Sequence, residues 1–364
     1  MAYPDTLPLE GPFRIPLLLI DTTIVFACLL VALEFLKKYR NTRDTVKNTL
    51  MYRAWASLFI GFMVTAAIYV ISDFAVPSIM LRIDILQYAY FSGATGGFLY
   101  VYYVERLTYI TKRRIFTIIM TGLYLTLIAL MVADHFISLG NIIQTFATSF
   151  WIPAIGLSMM YTYKINKLSL GKLKKYSFAL IFGFVMLILG LMGATDVMTR
   201  IFGLGFRLAA DSLQIAGIIL ITTFALKLPS WKELEWRKAA RKAYFIYKGG
   251  MLLHEHSFGD NIDASKNSLL IASVLETAKT VLQQSLESGQ LKIIDLEDKK
   301  IYFQQGKWIM VALVANEQLD SLEFLASKIT REFERFFEEQ LVNWNGDTDI
   351  FQLTATLIPT ILNR

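Results

Sequence analysis

The 364-residue chain is 55% hydrophobic, with a mean hydropathy of +0.47, against roughly 45–50% apolar residues in an ordinary soluble domain. The excess lies in long, unalternating runs, which excludes a purely soluble chain and a β-barrel and calls for helices across a bilayer. The net charge of +6 hides a split: residues 1–242 carry 25 basic and 13 acidic groups and residues 243–364 carry 11 and 17, so the basic balance belongs to the apolar part and is no nucleic-acid footprint.

The opening MAYPDTLPLEGPFRIP has no basic n-region, and no small-residue cleavage pattern follows the first apolar run. That run therefore reads as a retained helix rather than a signal peptide. It holds Cys28, the single cysteine, so no intramolecular disulfide or cysteine metal cluster can form. Seven runs are long enough to span: 16–35, 54–71, 85–104, 115–133, 142–161, 176–194 and 208–226. The third is the least apolar, because it carries Gln87, Ser92, Thr95 and five tyrosines.

Lys and Arg alternate between the connecting segments. The first loop, KKYRNTRDTVKNTLMYR, has six basic residues, and the fifth, YKINKLSLGKLKKY, has five lysines. TKRR marks the third loop, and KLPSWKELEWRKAARK follows the last span. The intervening segments carry Asp73, Asp84, Asp134 and Asp196 and few bases. Basic loops stay on the cytoplasmic side, so the expectation is a multi-pass cell-membrane protein with its N-terminus outside and its C-terminal domain inside. Residues 1–227 form the seven-helix domain in this reading, and 228–242 form a basic juxtamembrane connector suited to anionic lipid.

From residue 243 the pattern turns globular. AYFIYK and MLLHEHSF flank Gly249–Gly250, a hairpin signal. Residues 265–286 read as an amphipathic helix with Leu270, Val274, Ala278, Val281 and Leu282 on one face. QLKIIDLE, KIYFQQ and KWIMVALVAN read as three strands. A long helix follows, with Leu322, Leu325, Ile329, Phe333 and Phe336 along one side, and a last helix covers about 349–362. This order of elements, with its YFIYKGGMLLHEHSF opening, resembles the longin-like and roadblock-like domains. The resemblance implies an α+β fold over 243–364 with a five-stranded antiparallel sheet. It further implies a non-catalytic adaptor that dimerises or binds a small GTPase, through the 265–286 helix or a strand edge.

Two other resemblances are narrower. Glu105–Arg106 at the inner end of the third span is similar to the acidic–arginine pair of G-protein-coupled receptors. It stops there, because the sixth span lacks proline and the seventh lacks an asparagine–proline pair. A retinal-binding lysine is also missing from the middle of the last span, where only Lys227 stands at its end.

Ionisable groups inside a bilayer default to functional hypotheses. Asp21, Arg82, Asp84, Gln87, Tyr88, Gln144, Trp151, Arg207, Asp211 and Gln214 fall at one depth, toward the outer ends of their spans, and together could line a ligand pocket. His254 and His256 alternate on one strand, but no further ligand is at hand for a metal. No nucleotide-binding, protease or kinase motif is present, so no enzyme activity and no cofactor are expected. The resulting expectation is a membrane receptor or scaffold that couples its bundle to a cytoplasmic module acting on a small GTPase or other signalling partner. The alternative is a transporter or channel with a regulatory, dimerising domain.

Overall fold

The structure, a computed structural model, describes residues 8–41, 46–107, 114–134, 136, 137, 139–169, 172–227, 233, 236–258, 274, 275, 277, 292–297 and 299–363. The chain divides into two compact units, the larger built from Met1–Lys167 and Lys172–Leu228 and the smaller principally from Pro229–Arg364.

The larger unit is helical: α1 (Arg14–Asn41), α2 (Val46–Phe74), α3 (Ile79–Glu105), α4 (Ile115–Asp134), α5 (Gly140–Ser149), α6 (Trp151–Leu168), α7 (Lys172–Gly193), α8 (Asp196–Phe202) and α9 (Leu204–Lys227). Five of these, α1, α2, α4, α7 and α9, are long and apolar enough to cross a membrane. Helix α3 has the length, but Gln87, Ser92, Thr95 and its tyrosines dilute its apolar character. The expected span 142–161 is divided at Phe150 into α5 and α6. Pro153 has no N–H to offer the Ser149 carbonyl, and its ring crowds that carbonyl, which ends the helical ladder there.

Large apolar side chains such as Leu19, Phe26, Leu30, Ile118, Leu125 and Phe182 point outward. A bundle with apolar residues on its surface suits hydrocarbon rather than water. Inside, the helices approach through glycine. A Cβ on Gly61 of α2 would stand 2.7 Å from the Gly96 Cα of α3, so the two backbones touch. Gly183, Gly190 and Gly217 do the same between α7 and α9, where a Cβ on Gly217 would stand 2.7 Å from the Leu187 nitrogen. No water drives association in a membrane, and this close packing supplies the dispersion that does. Gly93 and Gly97 instead make room for the Trp151 ring.

The smaller unit opens with the single turn α10 (Trp236–Ala239) and five strands: β1 (Ala240–Tyr247), β2 (Met251–Ser257), β3 (Ile293–Leu296), β4 (Lys299–Gln305) and β5 (Ile309–Ala315). They form one antiparallel sheet in the order β2-β1-β5-β4-β3. The hairpin turn between β1 and β2 depends on φ of 101° and 87° at Gly249 and Gly250, a region that side chains rarely tolerate. Helices α11 (Asp320–Phe336) and α12 (Glu338–Val342), a 3₁₀ turn (Asp349–Leu353) and α13 (Thr354–Asn363) complete the unit.

Alternation along β1 and β5 gives the sheet two apolar faces. Ala243, Phe245, Ile309, Val311 and Leu313 pack with Leu322, Leu325, Ile329 and Phe333 of α11. Tyr244, Ile246, Phe303, Met310 and Ala312 gather on the other face around Leu275. Apart from residues 274, 275 and 277, the expected helix 265–286 lies outside the described residues. The buried stripe of α11 continues to Phe337 rather than Phe336, which is 55% exposed. From Phe333 the four-residue step keeps the face turned inward, whereas the three-residue step drifts off it.

Of the 228–242 segment, the described residues 233 and 236–242 belong to this unit. Strand β1 starts at Ala240, and Trp236 and Ala239 enter the core. The Glu233 carboxylate accepts hydrogen bonds from the Asp320 and Ser321 N–H groups, both 2.9 Å, at a helix start whose N-cap, Leu319, has no capping oxygen. A carboxylate there satisfies orphan donors and meets the positive end of the helix dipole.

His254 sits beside the Phe245 ring, 6.0 Å between centroids, and its Nε2 is buried with no hydrogen-bond partner among the described residues. Burial, with neighbouring His256, pulls its pKa down to about 4, against about 6.5 when unfolded. Between those values the unfolded chain binds more protons, so stability rises with pH there. Its contribution is full above about pH 6.5 and is lost as pH falls toward 4. We expect the smaller unit to melt at a lower temperature at pH 5 than at pH 7.5, and His254→Leu to flatten that difference in a thermal scan.

Candidate functional site

The site forms where α2 ends and α3 begins. Helix α2 continues to Phe74, which places Asp73 in its last turn. Pro77 restricts Val76 to extended backbone, and Ser78 then caps α3 by accepting from the Leu81 N–H at 3.3 Å. This tight reversal sets Arg82 against Asp73, Nε to Oδ1 at 2.7 Å.

Helix α8 supplies the second acid. Thr195 caps it, and Asp196 is its first residue. The Asp196 carboxylate takes a bidentate pair from Arg82, at 2.9 and 3.1 Å. Gly203, at φ 86°, closes α8 and turns the chain into α9. Arg207, Asp211 and Gln214 then follow at helical spacing on one face of α9. Arg207 reaches Asp73 Oδ2 at 2.7 Å, Asp21 of α1 at 3.2 Å and Asp211 at 3.6 Å. Gln214 donates to Asp211 Oδ1 at 2.8 Å.

Six ionisable side chains from α1, α2, α3, α8 and α9 thus form one connected cluster. None is more than 6% exposed. Desolvating so many charges costs several kcal/mol per ion, and only close pairing offsets it. Asp73 is the hinge of the network, since both arginines bind its carboxylate.

A cavity of about 120 Å³ opens beside the cluster between α1, α2, α7 and α9. Its polar end presents Asp21, Arg207, Asp211 and Gln214. Ile24, Phe62, Leu187, Leu191 and Ile218 form apolar walls. Tyr69 and Thr65 also face it, and Cys28 lies in its wall.

The structure brings together five of the residues singled out in the sequence: Asp21, Arg82, Arg207, Asp211 and Gln214. Others lie elsewhere. Asp84 is exposed, and Tyr88 is 62% exposed. Four-residue spacing puts Asp84 and Tyr88 on the side of α3 away from the buried face that holds Arg82, Leu86 and Ala89. Gln87 donates to Asp134 of α4 at 2.5 Å. Trp151 stacks on Phe62, 5.2 Å between centroids, behind the cavity wall. The side chain of Gln144 lies outside the described residues. Asp73, Asp196 and Tyr69 were missed, because the two acids count as loop charges when helix ends are read from hydropathy alone.

Glu105 and Arg106 do separate work. Glu105 is buried and accepts from the Phe116 and Thr117 N–H groups at 3.0 and 2.7 Å, capping the first turn of α4. Arg106 is exposed and lies over the Tyr102 ring at 4.4 Å. No group of metal-ligating side chains occurs among the described residues. No protein-family model, curated protein or solved structure matches the chain.

Removing one partner from a buried charge network leaves the other uncompensated, at a cost of roughly 3–5 kcal/mol. We expect Arg207→Gln and Asp73→Asn to lower thermal stability of the detergent-solubilised chain sharply. Asp211→Asn should hold or raise it, because it removes a carboxylate from a cluster already rich in them. A large loss in Asp211→Asn would contradict this accounting of charge.

Proposed function

We propose that the chain is a seven-helix membrane receptor or scaffold, with its N-terminus outside, that senses a ligand in the bundle and signals through a cytoplasmic longin/roadblock-like module. The observation that carries this reading is the cavity: a mostly apolar space with a polar end, walled by helices distant in sequence. Such spaces between helices of a bundle are where small-molecule sites form. The other two spans would be α3 and the α5–α6 region, which keep the alternation of basic and base-poor loops unbroken.

The layout of the smaller unit supports the second half of the proposal. A five-stranded antiparallel sheet carries helices after β5 and an apolar patch on its opposite face. That arrangement agrees with the longin/roadblock-like resemblance and with a partner such as a small GTPase, another cytoplasmic signalling protein or a second copy of the chain. Signals would pass as a shift in helix packing transmitted through residues 228–242.

The second reading, a transporter or channel with a regulatory domain, draws on the same buried charges, since intramembrane ionisable groups also mark transport paths. Flux across liposomes that depends on Asp211 would favour it.

Two measurements test the leading reading. In a Cys28→Ser background, a cysteine at Ser78 should label from outside intact cells and one at Lys299 only after permeabilisation; the reverse pattern would overturn the orientation. Purified chain should retain a small GTPase from cytosol and alter its nucleotide exchange rate. Absence of both binding and rate change would sink the GTPase arm.

A further inference from the structure

The charges of the cluster do not balance at the cavity. Four aspartates meet two arginines, so full ionisation leaves two excess negative charges. The short contacts allocate the cations. Arg82 is committed to Asp196 by two bonds of 2.9 and 3.1 Å and to Asp73 at 2.7 Å. The closest carboxylate of Arg207 is also Asp73, at 2.7 Å. Asp21 and Asp211 hold the longer contacts to Arg207, at 3.2 and 3.6 Å, and stand against each other. These two are the acids that line the cavity.

Asp211 is the more exposed electrically and the less exposed to solvent. It is 3% accessible; its buried Oδ2 accepts no hydrogen bond and faces Arg207 Nε only at 3.6 Å, and its carboxyl stands against that of Asp21. Buried acceptors in native structures are almost always satisfied. Two carboxyl groups this close cannot both stay charged without a proton or a cation between them, and the cavity that they line has room for the cation. The remaining wall is specific about the rest of the occupant. Ile24, Leu187, Leu191 and Ile218 are aliphatic and offer no hydrogen bond, which disfavours a hydrated metal ion. Phe62 and Tyr69 add aromatic faces that attract an organic cation. A cavity of roughly 150 Å³ holds a benzene molecule, so this one, at about 120 Å³, suits an occupant of about five heavy atoms.

We propose that the cavity binds a small alkylammonium, its N–H groups directed to Asp211 and Asp21 and its hydrocarbon lodged against Ile24, Leu187, Leu191 and Ile218. This rests on the ligand-sensing reading above and names the ligand class. Gln214 is a positioning residue: its amide holds Asp211 Oδ1 at 2.8 Å and so fixes the carboxyl on the cavity wall.

The test uses the full chain in lipid nanodiscs at pH 7.5 and titrates isobutylammonium by calorimetry. Isobutanol, butyrate and sodium serve as neutral, anionic and inorganic comparators. Saturable binding of isobutylammonium alone is expected, weakened at least about tenfold by Asp211→Asn, which removes one member of a buried charge pair. Ile218→Phe, which fills the apolar end and leaves the carboxyls in place, should abolish it; size-exclusion profiles and circular dichroism confirm that both variants fold. Binding of butyrate or isobutanol as tight as that of the amine would overturn the cation assignment and leave the pocket standing as a sensor of another ligand. Sodium binding that displaces the amine, or unchanged amine affinity in Asp211→Asn, would overturn the proposal in the same way. Failure of every probe to bind wild-type chain would remove both the proposal and the ligand-sensing reading.

Discussion

The larger unit is organised around Asp73. Its two carboxylate oxygens take the two arginines, one from α3 and one from α9, and through them the carboxylates of α1 and α8. In a low-dielectric bundle each of these charges would be intolerable alone. Their mutual satisfaction fixes the register of five helices at one end of the unit, because no helix can slide or rotate without stranding a charge. Packing along the helix shafts is generic by comparison, since one aliphatic contact replaces another at little cost. The network thus confers specificity where hydrophobic contacts confer mainly cohesion.

The cavity follows from the same arrangement. The arginines draw the helix ends together, while Ile24, Phe62, Leu187 and Leu191 line the gap between α1, α2 and the α7–α9 pair just below. The outcome is a space that is ionic at one end and oily along its walls. In the proposed reading, a ligand pocket and a charge clamp are therefore one construction. Occupancy would be sensed by the residues that hold the bundle together, which is a favourable design for turning binding into a change of packing.

Much of this was legible from residue types. Long apolar runs located the middles of the helices, whose ends extend up to eight residues further, and turn glycines with alternating strands located the sheet, because hydrophobic periodicity directly reflects burial. Asp21, Arg82, Arg207, Asp211 and Gln214 stood out since a polar residue in an apolar run must be accounted for. Asp73 and Asp196 did not, for a physical reason. They lie at helix ends, where a charge is cheap in an isolated helix, and only tertiary contact reveals that these ends are buried. Pairing over more than a hundred residues, as between Arg82 and Asp196, leaves no local trace. The same blindness let Asp84 and Tyr88 into the expected pocket: depth along a helix can be read from sequence, while rotation about its axis depends on the neighbours. The break at Phe150 carried a signal in Pro153, but the apolar run around it concealed the interruption.

The glycine contacts between α2 and α3 and between α7 and α9 have a mechanical meaning. Backbone against backbone, each pair is too closely meshed to flex internally and would travel as one piece. The cavity lies along the seam between α2, of the first pair, and α7 and α9, of the second. The bundle then resembles a two-jawed clamp, with α1 beside the opening and Arg207 as the latch across it. Any force that the proposed ligand exerted would be delivered to the jaws whole, as a small rotation of one rigid pair against the other.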